Sequence, residues 1–361
     1  MNTLSPKFEG DPDSWIRAKE LVEALGFIPT SFSTAIRILM VDHRDAAPMI
    51  SPVSSFLMTR LLQSPTTKAA FYYATLTYYS HEVNNTPFLP SSQLLRYYPP
   101  GEVAAILLNV YLYRRFKNTL TKEQMVSFID RLVVDMEIGR LVGEAIPRIG
   151  TMMGLIAGSL PHYSRALFML ADPMRYLEYR EVLAIERVNY HNEYELNYFG
   201  CTQQQLGAQM LQLFSFGLPL VVAYNRAFCD HVAYDFDHEP EAYPIMTAHE
   251  WITSFRDTGK LPDRSHDGRF YPSESKLHKL IYSVNELRER GSRYRWIEKG
   301  AEDITPEQTP QLYQETLIES RDPQMLQDYY TKHLPQDVLD ELSPEQLAEL
   351  ISTDKQDDPF E

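Results

Sequence analysis

The sequence is poor in the features that define several common protein classes. It has two cysteines, Cys201 and Cys229, in 361 residues, which excludes a disulfide-stabilised scaffold and is typical of a reducing compartment. No apolar run approaches the roughly 20 residues that a membrane-spanning helix needs. The first residues also lack the basic and apolar parts of a secretory signal. We therefore expect a cytoplasmic protein that does not cross a membrane.

Motifs of common catalytic sites are also missing. The chain has no glycine-rich phosphate loop, no His-Glu-x-x-His zinc motif and no Gly-x-Ser-x-Gly nucleophile turn. One acidic, tyrosine-rich segment does hold candidate ligands for a divalent metal, at Asp230-His231, Asp237-His238 and His249. We interpret this segment as a solvated connection after the last core helix, with a metal or phosphate site as the alternative.

Apolar side chains recur with helical spacing along most of the chain, and no segment shows the alternation of a strand. The pattern therefore predicts an all-α fold of two packed helical subdomains. We place the first subdomain at residues 1–118 and the second at 119–235, followed by a mostly helical extension at 236–361 that ends in an acidic tail. The predicted helices of the second subdomain include Lys122–Ala145 and Gly150–Met169.

The strongest helix start lies at Thr202. Thr202 and Gln205 fit a capping box, in which the hydroxyl accepts from a first-turn N–H and the amide reaches back to the cap. Apolar residues then follow at helical spacing from Leu206. Because glycine tolerates a left-handed cap and proline cannot continue a helix, we expect this helix to end near Gly217 and Pro219.

The same stretch carries a resemblance to a known family. The residues Phe199-Gly-Cys-Thr-Gln203, Gly207-Ala, Met210-Leu and Leu218-Pro resemble the Phe-Gly-x-x-His, Gly-Ala, Leu-Leu and Leu-Pro pattern of HDOD domains. Upstream, Gly154-Leu-Ile-Ala-Gly-Ser is similar to the Gly-Leu-Leu-His-Asp-Ile-Gly segment of that family. HDOD domains are degenerate relatives of HD phosphohydrolases, and the resemblance covers residues 20–235. It implies a bacterial signalling or regulatory protein with an HD-like helical fold.

The resemblance also implies that the metal ligands are lost. Gln203 stands where a histidine is expected, and a primary amide binds transition metals more weakly than imidazole does. The His-Asp pair falls at Ala157 and Gly158, which carry no ligand atom. Asp135 matches the first ligand position, but hydrolysis at such a site needs several ligands around a divalent cation. We therefore expect a degenerate pocket with no metal and no cofactor.

The resulting expectation is a non-catalytic regulatory protein that binds a partner protein or a small signalling ligand. It would do so through the degenerate pocket or through the C-terminal region. The alternative from another class is a residual metal-dependent nucleotide phosphohydrolase. Its metal would have to be bound by Asp135, Asp230 and His231, together with other, acidic residues.

Charge is distributed unevenly near the C-terminus. Residues 301–361 hold sixteen Asp/Glu against three Lys/Arg, a net charge of −13 out of −15 for the whole chain. Just upstream, four arginines alternate with Tyr294 and Trp296; they are Arg288, Arg290, Arg293 and Arg295. Three interpretations remain open: a solvated surface, a contact for the acidic tail, or a site that holds phosphates and stacks bases. Repulsion from the acidic tail argues against a nucleic-acid site.

Overall fold

The computed structural model describes residues 11–83, 94–228, 240–262 and 268–300, and the regular structure in these ranges is helical throughout. The predicted all-α fold is therefore confirmed. Two short 3₁₀ helices, Leu95–Tyr97 and Gly268–Phe270, join the α-helices. The α-helices are α1 (Pro12–Glu23), α2 (Thr30–Arg44), α3 (Pro52–Leu61), α4 (Pro65–Tyr78), α5 (Ser80–Val83), α6 (Pro100–Thr119), α7 (Lys122–Ala145), α8 (Gly150–Ala171), α9 (Pro173–Glu186), α10 (Asn192–Phe199), α11 (Gln203–Leu213), α12 (Leu218–Arg226), α13 (Ala242–Thr258), α14 (Glu274–Arg290) and α15 (Trp296–Lys299).

The start of α11 is the one that the sequence predicts. The Thr202 hydroxyl accepts from the Gln205 backbone N–H at 3.3 Å, and the Thr202 N–H donates to the Gln205 side chain at 2.9 Å. The predicted end is wrong, because α11 stops at Leu213. Gly217, with φ of 90°, instead precedes α12, and Pro219 lies in the first turn of that helix. Proline is favoured there because a first-turn N–H has no partner within the helix.

The chain divides into two compact units that alternate along the sequence. Among the described residues, the first unit contains 11–28 and 115–293, and the second contains 29–114 and 294–300. The sequence predicts consecutive divisions at 1–118, 119–235 and 236–361, and that division stays a prediction. Across the described ranges, no helix is both long enough and apolar enough to span a bilayer.

Aromatic side chains from two distant parts of the chain pack together in the core of the second unit. Trp296 is fully buried, and its indole N–H donates to the Tyr78 hydroxyl at 2.7 Å. The rings of Tyr73 and Tyr294 lie 6.2 Å apart. Buried tryptophan and tyrosine keep a hydrogen bond for their polar tips while the rings fill the core. The tyrosines of α4 therefore pack within the unit.

In the first unit, α7 and α8 are the most closely packed pair of helices among the described residues. Any Cβ added at Gly154 would overlap the carbonyl oxygen of Gly139, and one added at Gly143 would overlap that of Gly150. The glycines recur four residues apart on each helix, so they form one seam along which the two backbones touch. This close contact fixes the positions of the neighbouring residues of α7 and α8 relative to one another.

Candidate functional site

Two of the four predicted pocket residues meet at one end of the glycine seam. A Cβ at Gly158 would overlap the backbone carbonyl oxygen of Asp135, so Gly158 is a close-packing residue in this fold. Ala157 is buried beside it on α8, with 1 % of its surface exposed. The absence of a side chain at Gly158 thus has a direct packing cause.

The Asp135 carboxylate is engaged by two side chains from other helices. Its Oδ2 atom lies 2.8 Å from His162 Nε2 on α8 and 2.9 Å from Arg256 Nη1 on α13. Burial alone would raise the pKa of Asp135, but the His162 hydrogen bond and the Arg256 charge hold that pKa below its ordinary value. The carboxylate is therefore ionised and paired with a guanidinium.

His162 sits between this pair and a second arginine. Burial, followed by the nearby Arg165 charge, lowers the pKa of His162 to about 4. The ring is therefore neutral at pH 7, and it donates through Nε2–H to Asp135. That tautomer leaves Nδ1 as an acceptor, and Arg165 Nη2 lies 3.4 Å from it. Arg165, His162, Asp135 and Arg256 thus form one continuous chain of hydrogen bonds.

Arg256 also ties this chain to the segment after α9. Its Nη2 donates to Asn189 Oδ1 at 2.7 Å, and its Nε donates to Asp257 at 2.7 Å. A guanidinium presents several donors in a fixed plane, which suits simultaneous contacts to three acceptors. Arg256 therefore places a positive charge directly beside the Asp135 carboxylate.

Gln203, the fourth predicted pocket residue, belongs to a different hydrogen-bonded group. Its backbone N–H donates to Glu195 Oε2 on α10 at 2.6 Å, and the Tyr179 hydroxyl on α9 donates to Glu195 Oε1. The side-chain oxygen of Gln203 is shielded from solvent and has no hydrogen-bond partner within the described ranges. The hydrogen bonds at Asp135 and those at Gln203 are thus separate.

Glu195 is the most unusual titratable group of this second cluster. It is fully buried, and burial raises its pKa to about 7 although Tyr179 and the Gln203 N–H donate to it. Nearby Cys201 is buried too, and burial followed by the Glu195 charge raises the pKa of its thiol to about 12. The thiol is therefore protonated and inert, as a small buried hydrophobic residue would be.

His249 on α13 is a further residue of the polar interior. Both ring nitrogens are shielded from solvent, and neither has a hydrogen-bond partner among the residues that the structure describes. The ring edge faces Phe228, with 5.0 Å between the ring centroids. Burial and then the Arg256 charge lower the pKa of His249 to about 4. The ring is therefore neutral at pH 7.

This shift predicts an acid-sensitive step in stability. Because the pKa of His249 is lower in the folded protein than in an unfolded chain, its stabilising contribution is present above pH 6.5 and is lost as the pH falls toward 4. Lowering the pH to 5 should remove at most about 2 kcal/mol through this residue. His249→Phe should flatten the slope of unfolding free energy between these pH values in urea titrations.

The matched control for this prediction is His278→Phe on α14, because His278 is exposed. That variant should keep the slope of the unaltered protein. If His249→Phe and His278→Phe show the same pH dependence, the shifted titration of His249 is wrong.

The sequence analysis did not select several residues of these clusters, namely His162, Arg165, Arg256, Tyr179 and Glu195. One signal was available for the first. Gly150, Gly154 and Gly158 recur every four residues, and His162 continues the series by one more turn. Arg256 lies 121 residues from Asp135 in the sequence, and no local pattern joins them.

The remaining candidate metal ligands fall in two groups. Asp230, His231, Asp237 and His238 lie outside the described residues. Within the described ranges, no group of three or more His, Cys, Asp or Glu side chains is arranged to hold a metal ion.

The four arginines of the basic segment do not form one set of contacts. Arg290 is exposed and pairs with Glu286 at 2.7 Å, whereas Arg295 pairs with Glu298. Arg288 packs against Gly259, and Arg293 is exposed. Because Trp296 is buried, its indole is not available for stacking a base. The acidic tail lies outside the described residues.

No family model matches this sequence, and no curated protein matches it. Among solved structures, the chain is similar to a crystal structure of a "putative phosphohydrolase" from Shewanella amazonensis. The similarity has a TM-score of 0.49 with 11 % sequence identity, and it covers 79 % of this chain and 97 % of the other.

Proposed function

We propose that this protein is a non-catalytic regulatory protein, related to HDOD domains, that binds a partner protein or a small ligand. The observation that carries the proposal is the contact between Gly158 and the Asp135 backbone. A ligand-bearing side chain at position 158 would require its Cβ to occupy the space of the Asp135 carbonyl oxygen. The close approach of α7 and α8 is thus incompatible with an aspartate at that position.

The electrostatics of Asp135 support the same proposal. One oxygen of this carboxylate, Asp135 Oδ2, already accepts from both Arg256 and His162, so that atom is not free to bind a metal. Displacing Arg256 would leave a partly buried guanidinium without its carboxylate, which is costly. The internal cation therefore supplies the charge balance that a metal supplies in a hydrolase.

Metal content and turnover test the proposal directly. Purified protein dialysed against Mn²⁺ should carry no stoichiometric metal, and it should hydrolyse neither cyclic nor linear nucleotides. Both measurements should be made in parallel on Asp135→Asn, which keeps the shape of the side chain and removes its charge. Stoichiometric metal together with turnover that Asp135→Asn abolishes would overturn the proposal in favour of a phosphohydrolase.

A further inference from the structure

The buried carboxyl group of Glu195 connects three helices. Glu195 lies in α10; its two oxygens accept from the Tyr179 hydroxyl of α9 and from the Gln203 N–H that begins α11. The backbone N–H of His191, at the start of α10, donates to the same Tyr179 hydroxyl at 3.3 Å. One carboxyl group therefore connects the middle of α9, α10 and the start of α11.

Two effects oppose each other at this group. Its hydrogen bonds favour the ionised form, because each partner donates and an ionised carboxylate only accepts. Full burial favours the neutral form, because it removes the charged carboxylate from water. The positive charge of Arg165 on α8 lowers the pKa of Glu195 and so opposes the effect of burial.

The other titratable neighbours do not remove this conflict. The Tyr224 hydroxyl of α12 and the Cys201 thiol are both neutral at pH 7, because burial raises the pKa of each. The charge of Arg17 on α1 lowers the pKa of the Cys201 thiol, but its effect is smaller than that of burial. None of these groups donates a hydrogen bond that would hold Glu195 ionised through the whole pH range.

Protonation changes what Tyr179 can do. A protonated carboxyl must donate its own hydrogen, and the Tyr179 hydroxyl then has to accept where it previously donated. The Tyr179 ring stacks on Tyr194 at 5.2 Å, and Tyr194 stacks on Tyr198 at 4.2 Å. Tyr198 is 47 % exposed, so this row of rings runs from the buried carboxyl to the surface.

We propose that Glu195 is a proton-operated device: proton uptake by its buried carboxyl group reverses the hydrogen bond with Tyr179 and shifts the stacked rings of Tyr179, Tyr194 and Tyr198. The surface of α10, where Leu196 and Tyr198 are exposed, changes with pH as a result. This inference stands independently of the proposed regulatory function, because it rests on the burial and hydrogen bonds of Glu195 and on the tyrosine rings beside it.

Carbon NMR of the full chain labelled at the glutamate side-chain carboxyl tests the inference without any variant. Two glutamate carboxyl resonances should titrate near pH 7, those of Glu195 and Glu250, and Glu195→Gln should remove one of them. Near-ultraviolet circular dichroism of the tyrosines should change over the same pH range, and this change should be lost in Glu195→Gln. A Glu195 resonance that titrates at its ordinary value of about 4.3 would overturn the inference.

Two further variants keep the test decisive. Glu250→Gln is the matched control, since burial raises the pKa of Glu250 to about 7 as well, and this variant should leave the tyrosine signal unchanged. Tyr179→Phe removes the donor that favours the ionised form, so the Glu195 midpoint should move to higher pH. An unchanged midpoint in Tyr179→Phe, or loss of the tyrosine transition in Glu250→Gln, contradicts the device.

Discussion

Arg256→Met is expected to destabilise the first unit by about 3 kcal/mol, because it leaves the buried Asp135 carboxylate without its cation. Arg256 donates to Asp135 at 2.9 Å and to Asn189 at 2.7 Å. The Asp135 side chain is 4 % exposed and that of Arg256 is 22 % exposed. The carboxylate therefore cannot recover this loss by turning to water. Urea denaturation monitored by circular dichroism measures the effect.

The matched control is Arg290→Met, which removes an arginine of the same length from an exposed pair. Arg290 and Glu286 are 75 % and 43 % exposed, and such a pair contributes about 0.5 kcal/mol or less. The double variant Arg256→Met with Asp135→Asn should recover part of the loss, because neither charge is then unpaired. Equal effects in Arg256→Met and Arg290→Met would show that the buried pair does not stabilise the unit.

Gly154→Ala should destabilise the first unit by about 3 kcal/mol through overpacking. The added Cβ would overlap the Gly139 carbonyl oxygen, which is backbone and cannot rotate away. The α7 and α8 backbones would have to separate, and their side chains would lose contact along the seam. The midpoint of thermal unfolding measures this effect.

Gly268→Ala supplies the control, since a Cβ at Gly268 meets no atom within 4 Å. Its stability should stay within about 0.5 kcal/mol of the unaltered protein. If Gly154→Ala is tolerated as well as Gly268→Ala, then the helices are able to move apart and Gly158 could accept a side chain too. The packing argument against a ligand at position 158 would then fail.

The helices were largely predictable because their signals are local. The predicted helix Lys122–Ala145 coincides with α7, and the capping box at Thr202 is formed as predicted. The end of α11 was not predictable from the same rules. Gly217 and Pro219 are residues that can follow one helix or begin the next, and spacing alone does not distinguish the two.

The site was only partly predictable, because its contacts are non-local. Asp135 and Gly158 were selected through a family pattern, and they do touch. They touch through a backbone contact, however, whereas the family pattern describes metal ligands. The partners of Asp135 are His162, which only the four-residue glycine spacing of α8 could have indicated, and Arg256, which is 121 residues away and leaves no local signal. Glu195 was passed over because its role depends on complete burial, which one sequence does not reveal.

The placement of Trp296 has a practical consequence for anyone dividing this protein into fragments. Its indole completes the interior of the second unit by contact with Tyr78, although 218 residues separate the two in the chain. A truncation that ends before residue 294 would therefore open the core formed by residues 29–114. Expression fragments should carry both segments, with the intervening unit left in place or replaced by a linker.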